Sequence, residues 1–134
     1  MDEVDKTIIT LLQSNALLPI AEISQKVNLS VSTCWNRIKK LEEDKVIKKR
    51  VTILDGNKIN LPIVVFVTIS VSHHNDEFNN ELKRYNEIIE IWRLSGEFDY
   101  LLKVVSKSLQ TYDIFIKKFI NEIKDISSLH SNIV

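Results

Sequence analysis

The sequence predicts an α+β protein in two parts: a three-helix, winged-type helix-turn-helix domain, then a ferredoxin-like βαββαβ domain. Three observations carry this. Before residue 44, apolar residues recur at helical spacing in three short runs, and the third run opens on Ser30. From Ile63 the period changes to two, with Ile63, Val65, Val67, Ile69 and Val71 lining one face. Beyond that run, strand-like and helix-like stretches complete the order β-α-β-β-α-β.

In the first part, Val4, Ile8, Leu11 and Leu12 mark a first helix, with Asp2 or Glu3 serving its positive end. Pro19 is tolerated in the first turn of a short second helix carrying Ile20, Ile23 and Val27. Asn28 accepts left-handed geometry, so a tight turn leads into Ser30, an N-cap residue. Val31, Cys34, Ile38 and Leu41 form the core stripe of the third helix. Its other faces carry Ser32, Thr33, Asn36, Arg37, Lys39 and Lys40. Such a helix can lie in the DNA major groove, small polar groups near base edges and cations near phosphates. An ordinary amphipathic surface helix has the same pattern. Val46 to Leu54 reads as a strand, either a wing or an exit from the domain. The reading places a helix-turn-helix domain over 1–54, a linker over 55–62 closed by Pro62, and a second domain over 63–134.

Charge narrows the partners. The 134 residues carry no formal net charge, yet Arg37 to Arg50 holds seven basic against three acidic residues, a local +4. A focused basic segment suits local contact with a polyanion better than general coating. One cysteine, Cys34, excludes an internal disulfide and suits a reducing cytoplasm. No signal peptide and no membrane-length apolar run is present. His73, His74 and His130 lack the companions of a metal site, so no metal is expected. No phosphate-binding glycine loop, triad spacing or carboxylate pair suggests an enzyme.

In the second part, Phe78, Leu82 and Tyr85 mark a helix with Asn75 as a candidate cap. Ile88 to Leu94 and Tyr100 to Val105 are strands flanking Gly96. Leu109, Tyr112, Ile116, Phe119 and Ile123 mark a longer helix, and Ser127 to Val134 a last strand. Two helices cover one face of a four-stranded sheet. Val64 and Phe66, like Leu101 and Val105, leave apolar side chains on the other face. A second copy is the simplest cover, giving a two-fold dimer.

The run Leu29-Ser30-x-Ser32-x-Cys34-Trp35-x-Arg37-Ile38-x-Lys40-Leu41-Glu42, with Val46-Ile47 after it, resembles the leucine-responsive/asparagine-operon regulators, the Lrp/AsnC family. Val4-Asp5-x-x-Ile8-x-x-x-Leu12 and Ser95-Gly96-x-x-Asp99-Tyr100 match the same family. Two positions depart from it: Lys45 and Asn28 stand where glycine is usual. The resemblance implies a sequence-specific regulator of transcription that binds double-stranded DNA as a homodimer, with dimers often joining into octamers. Ser30 then caps the reading helix, and Ser32, Thr33 and Asn36 lie near bases. Arg37, Lys39 and Lys40 hold phosphates, with Arg37 also in reach of a guanine, and Lys48, Lys49 and Arg50 add contacts to the DNA backbone.

From chemistry alone, Gly96 permits a sharp turn, Asp99 suits an ammonium group and neighbouring amides suit a carboxylate. A hairpin whose Asp only caps the loop has the same spacing. The resemblance implies a small effector at this loop, commonly a free amino acid, held by Gly96 and Asp99, with Glu97 and Phe98 beside them. Ser131, which matches a Ser/Thr position on the family's last strand, is implied as a further effector contact, and family members usually run on past that strand. No cofactor is implied. An architectural DNA-binding protein without effector, or a small-molecule-binding module, are the alternatives.

Overall fold

The computed structural model describes residues 1–134, which divide into two units, Met1–Ile53 and Leu54–Val134. The first holds helices α1 (Glu3–Ser14), α2 (Ile20–Lys26) and α3 (Val31–Glu43). A reciprocal capping box starts α1. Asp2 Oδ1 accepts the Asp5 amide at 2.9 Å, and Asp5 Oδ2 accepts the Asp2 amide at 3.1 Å. Pro19 occupies the N-cap position of α2, one residue ahead of the helical turn expected for it.

Asn28 is left-handed, with φ 53°, and the Leu29 amide returns to the Ser24 carbonyl at 3.0 Å. This is a Schellman ending for α2, which turns the chain within a few residues into α3. Ser30 caps α3 by accepting the Thr33 amide at 3.2 Å. Ile8, Ile23, Cys34, Ile38 and Leu41 are buried together. Val31, expected on the core stripe, sits in the first turn and is half exposed. Burial pushes the Cys34 thiol above its ordinary pKa, which keeps it protonated.

Lys45 is also left-handed, with φ 58°, letting the Ile47 amide reach back to the Leu41 carbonyl at 3.0 Å. A Cβ in that conformation crowds the adjacent carbonyl, a cost of about 1 kcal/mol relative to glycine. Lys45→Gly is therefore expected to stabilise the first unit by ~1 kcal/mol, read as a higher urea midpoint at unchanged m-value. A lower midpoint would show that the lysine side chain contributes more than the strain removes.

The strand expected over Val46–Leu54 does not form. Ile47 packs on the first core, but Ile53 is 92 % exposed and no ladder partner lies alongside. Strand propensity reflects pairing and packing with neighbours, and this segment has no neighbouring strand to pair with. Residues 55–62, read as a linker, belong to the second unit. There the Leu61 amide bonds the Gly56 carbonyl at 2.8 Å. A Cβ on Gly56 would stand 2.6 Å from the Leu61 oxygen, so the turn admits only glycine without rearrangement.

The second unit contains β1 (Ile63–Val71), α4 (Phe78–Leu82), β2 (Ile88–Arg93), β3 (Tyr100–Ser106), α5 (Leu109–Glu122) and β4 (Ile126–Ile133). Its sheet order is β2-β3-β1-β4, all antiparallel. This is the ferredoxin-like arrangement that the element order predicts. Asn75 holds the approach to α4 by accepting the Phe78 amide at 2.7 Å, and Ser108 caps α5. Val65, Val67, Ile69 and Val71 alternate into a core with Phe78, Leu82, Leu102 and Phe119. Tyr85 packs edge-on to Phe115 and Phe119 and donates to Glu122 at 2.6 Å. Burial and that carboxylate push its phenol up to about 12.

Candidate functional site

The polar face of α3 follows from its core stripe. Each helical residue turns the chain by roughly 100°. With Cys34, Ile38 and Leu41 inward, Ser32, Asn36 and Lys39 project on the opposite side, with Lys40 close by. All four are exposed, as is Thr33. The Ser30 hydroxyl donates to Thr33 Oγ1 at 2.7 Å and lies 3.3 Å from Ser32 Oγ, so the cap engages both neighbours. Asn36 is different: no protein hydrogen bond satisfies its amide, which leaves a paired donor and acceptor facing outward. Lys40 has no ion-pair partner. Lys39 Nζ lies 5.0 Å from the centre of the Trp35 ring and 3.9 Å from Glu43. Trp35 is half exposed.

Arg37 departs from expectation. Its Nη1 lies 2.8 Å from Asp2 Oδ2 and 2.8 Å from Asp5 Oδ1, at the start of α1. The cation expected on a phosphate or guanine is already held by two carboxylates of its own chain. The Asp5 amide, then the guanidinium of Arg37, lower the Asp2 pKa, and the carboxylates raise that of Arg37. The Asp-x-x-Asp spacing of Asp2 and Asp5 signals the capping box, but nothing in it signals a partner 32 residues on. Arg50 is likewise engaged, 3.0 Å from Glu42, while Lys48 and Lys49 are exposed.

In the second unit, Gly96 has φ 155° and open space where a Cβ would stand. Asp99 continues the ladder where the backbone leaves it. Its amide bonds the Ile69 carbonyl at 2.9 Å, and its Oδ2 accepts the Val71 amide at 2.8 Å. The carboxylate thus stands in for the next residue of a strand. Its Oδ1 lies 3.4 Å from His74 Nε2, a neighbour the sequence did not single out for this loop. The Glu97 carbonyl accepts from Ser70 at 3.3 Å, and Phe98 stacks edge-on against His130.

Ser131 does not join this group. It pairs with Val67, on the helix-covered side of the sheet, and its hydroxyl shares a 2.5 Å hydrogen bond with Tyr112. Alternation along β4 carries the signal: Ser131 has the parity of Leu129, which packs on the core. The three histidines lie against different neighbours, His73 near Asp125, His74 near Asp99 and His130 near Phe98. No three metal-ligating side chains converge.

The face of the sheet away from α4 and α5 carries Val64, Phe66, Leu101, Val105 and Trp92, interrupted by a Lys103–Glu90 pair at 3.2 Å. All five apolar residues keep solvent-accessible surface.

Comparison with known proteins places both halves. Residues 64–134 match the model of the Lrp/AsnC ligand binding domain, and residues 1–48 that of a winged helix-turn-helix DNA-binding domain. A glutamate uptake regulatory protein of Zymomonas mobilis is 44 % identical over 137 residues, spanning 98 % of this chain and 84 % of that protein. An AsnC family transcriptional regulator from Agrobacterium tumefaciens superimposes with a TM-score of 0.86 at 38 % identity, over all of this chain and 90 % of the other. A transcriptional regulator from Neisseria meningitidis, solved as a complex with L-Met, gives 0.91 at 26 % identity, over all of this chain and 89 % of the other.

Proposed function

Because the chain belongs to the Lrp/AsnC family of transcription regulators, we propose that it reads its operator with the outward face of α3 and takes a free amino acid at the Ser95–Tyr100 loop. It is a DNA-binding regulator of transcription, and its relatives are regulators rather than enzymes. The observation that carries the α3 reading is Asn36: an exposed amide with both its donor and acceptor unsatisfied, flanked by Ser32 and Lys40. Such an amide can bond an adenine edge in bidentate fashion. Lys39 and Lys40, with Lys48 and Lys49 beyond the helix, supply phosphate contacts.

The partly exposed apolar face of the sheet supports a homodimer formed with a second copy, which gives two reading helices per DNA site. Assembly of dimers into an octamer extends the same reading. Acting on DNA puts the protein in the cytoplasm with the DNA it reads; no helix is long and apolar enough to cross a membrane.

The matched ligand-binding domain and the L-Met complex of the Neisseria regulator support an amino-acid effector. In this chain, Asp99 is the group suited to the ligand ammonium, with Gly96 leaving room for its approach. A specific observation favours an effector-free architectural protein instead: Asp99 already serves the Val71 amide. Selection from random duplex DNA, with and without a pool of amino acids, separates the two. Sequence enrichment that changes with the pool supports the regulator; weak enrichment in both arms supports the architectural reading.

Asp99→Asn sharpens this. It removes the charge but keeps an oxygen for Val71, so the fold is expected to persist while calorimetry shows effector binding weakened by roughly 1.5–3 kcal/mol, the range for a hydrogen bond to a charged group. Unchanged ligand affinity in this variant would remove Asp99 from the site.

A further inference from the structure

The most completely satisfied polar group on the first unit is the one between α1 and α3, and it involves the residue best suited on paper to touch DNA. All four oxygens of Asp2 and Asp5 are used. One oxygen of each accepts a backbone amide of the α1 capping box, and the other accepts Arg37 Nη1, at 2.8 Å in both cases. The capping box holds both carboxylates through bonds that do not involve the arginine, so little of their side-chain freedom is given up on pairing. The Arg37 side chain is 31 % exposed and that of Asp5 17 %, so the pair is less screened than an open surface bridge. Arg37 also sits one helical position from Asn36, turned roughly 100° away from it. It therefore flanks the outward face rather than belonging to it.

We propose that Arg37 is a positioning residue: it fixes the rotation of α3 about its axis against the start of α1, and thereby aims Ser32 and Asn36, without contacting DNA. This rests on α3 being the reading helix. A guanidinium shared by two carboxylates has little net charge to offer a phosphate. A helix free to roll by a small angle would swing Asn36 out of register with any base edge.

The test uses the full-length protein and two readouts. The first is the slope of log affinity against log salt, which changes by about 0.9 for each phosphate that is no longer neutralised. The second is the ratio of operator to random-sequence affinity. Arg37→Gln and the double variant Asp2→Asn/Asp5→Asn are both expected to keep the wild-type slope. Both are expected to lower the specificity ratio by about tenfold, within the range that one misread base pair costs. Arg37→Lys, which keeps the ion pairs, is expected to restore most of it. A loss of folded protein alone would lower both affinities together and leave the ratio unmoved, so a ratio unchanged in all variants overturns the proposal. A slope reduced by about 0.9 in Arg37→Gln but not in the Asp variant assigns Arg37 to a phosphate and overturns it too. Failure of the wild type to retain any duplex at low salt removes the reading helix itself, an outcome distinct from either.

Discussion

Replacing Phe119 with alanine is expected to cost the second unit about 3–5 kcal/mol, the usual range for emptying a buried aromatic site. Phe119 has no exposed surface, and its ring lies 5.1 Å from that of Tyr85 and 5.6 Å from that of Phe115. With Tyr112, Phe115 and Ile123 it forms the face of α5 that is buried in the sheet's core. A loss of that size is a large fraction of the whole stability of a typical domain, about 5–15 kcal/mol. The consequence reaches DNA by way of assembly. If the sheet face joins two copies, loosening the sheet separates the paired reading heads and removes the avidity of a two-half-site complex. Sedimentation should show monomer, and a gel shift should show operator affinity falling toward that of one head. Scanning calorimetry should show the transition of the second unit moved to lower temperature. Persistence of a stable dimer in this variant would place the subunit contact somewhere other than the sheet.

Asn36→Ala is expected to weaken operator binding by ~1–3 kcal/mol and to relax the preference at one base pair in each half-site. The change should leave stability nearly untouched, because the side chain is exposed and unbonded in the free protein. It should also leave the salt slope alone, since an amide neutralises no phosphate. Lys40→Ala provides the contrast: weaker binding to every sequence alike, with the slope reduced by about 0.9. Competition binding against a panel of single-base operator variants distinguishes the two patterns. Equal losses across the whole panel for Asn36→Ala would assign it to the backbone or to packing.

What the sequence revealed follows physical range. The Ser30 cap, the Cys34-Ile38-Leu41 stripe and the β1 alternation are set by neighbours within one or two turns or strand repeats, so spacing discloses them. The left-handed turn at Asn28 was legible from the residue type between two helical runs, whereas Lys45 was marked only by standing where the family's glycine is usual. The Val46–Leu54 strand failed for the opposite reason. Its β-branched residues suit a strand, but pairing needs a second segment alongside, and local composition does not supply one. Arg37 is the clearest limit. Its cation was legible, yet its partners lie 35 and 32 residues back along the chain, and no periodicity links positions 2, 5 and 37. Asp99 lies between these cases: the loop was legible, but its carboxylate's place in the β1 ladder depends on where β1 and β3 part.

Cys34 carries one more consequence. It is the only thiol in the chain and has no exposed surface in the core of the reading head. Any reagent that attacks sulfur must therefore wait until the three helices part, and the kept proton on the buried thiol slows attack further. Modification of this protein is thus a clock for one event. The rate at which a small alkylating reagent consumes the thiol measures how often the first unit opens, and the second unit, which holds no sulfhydryl, contributes no signal. Bound operator should slow that clock by the factor with which it favours the closed head. Occupancy of the DNA site can thus be read from inside the domain, with no probe added to its surface.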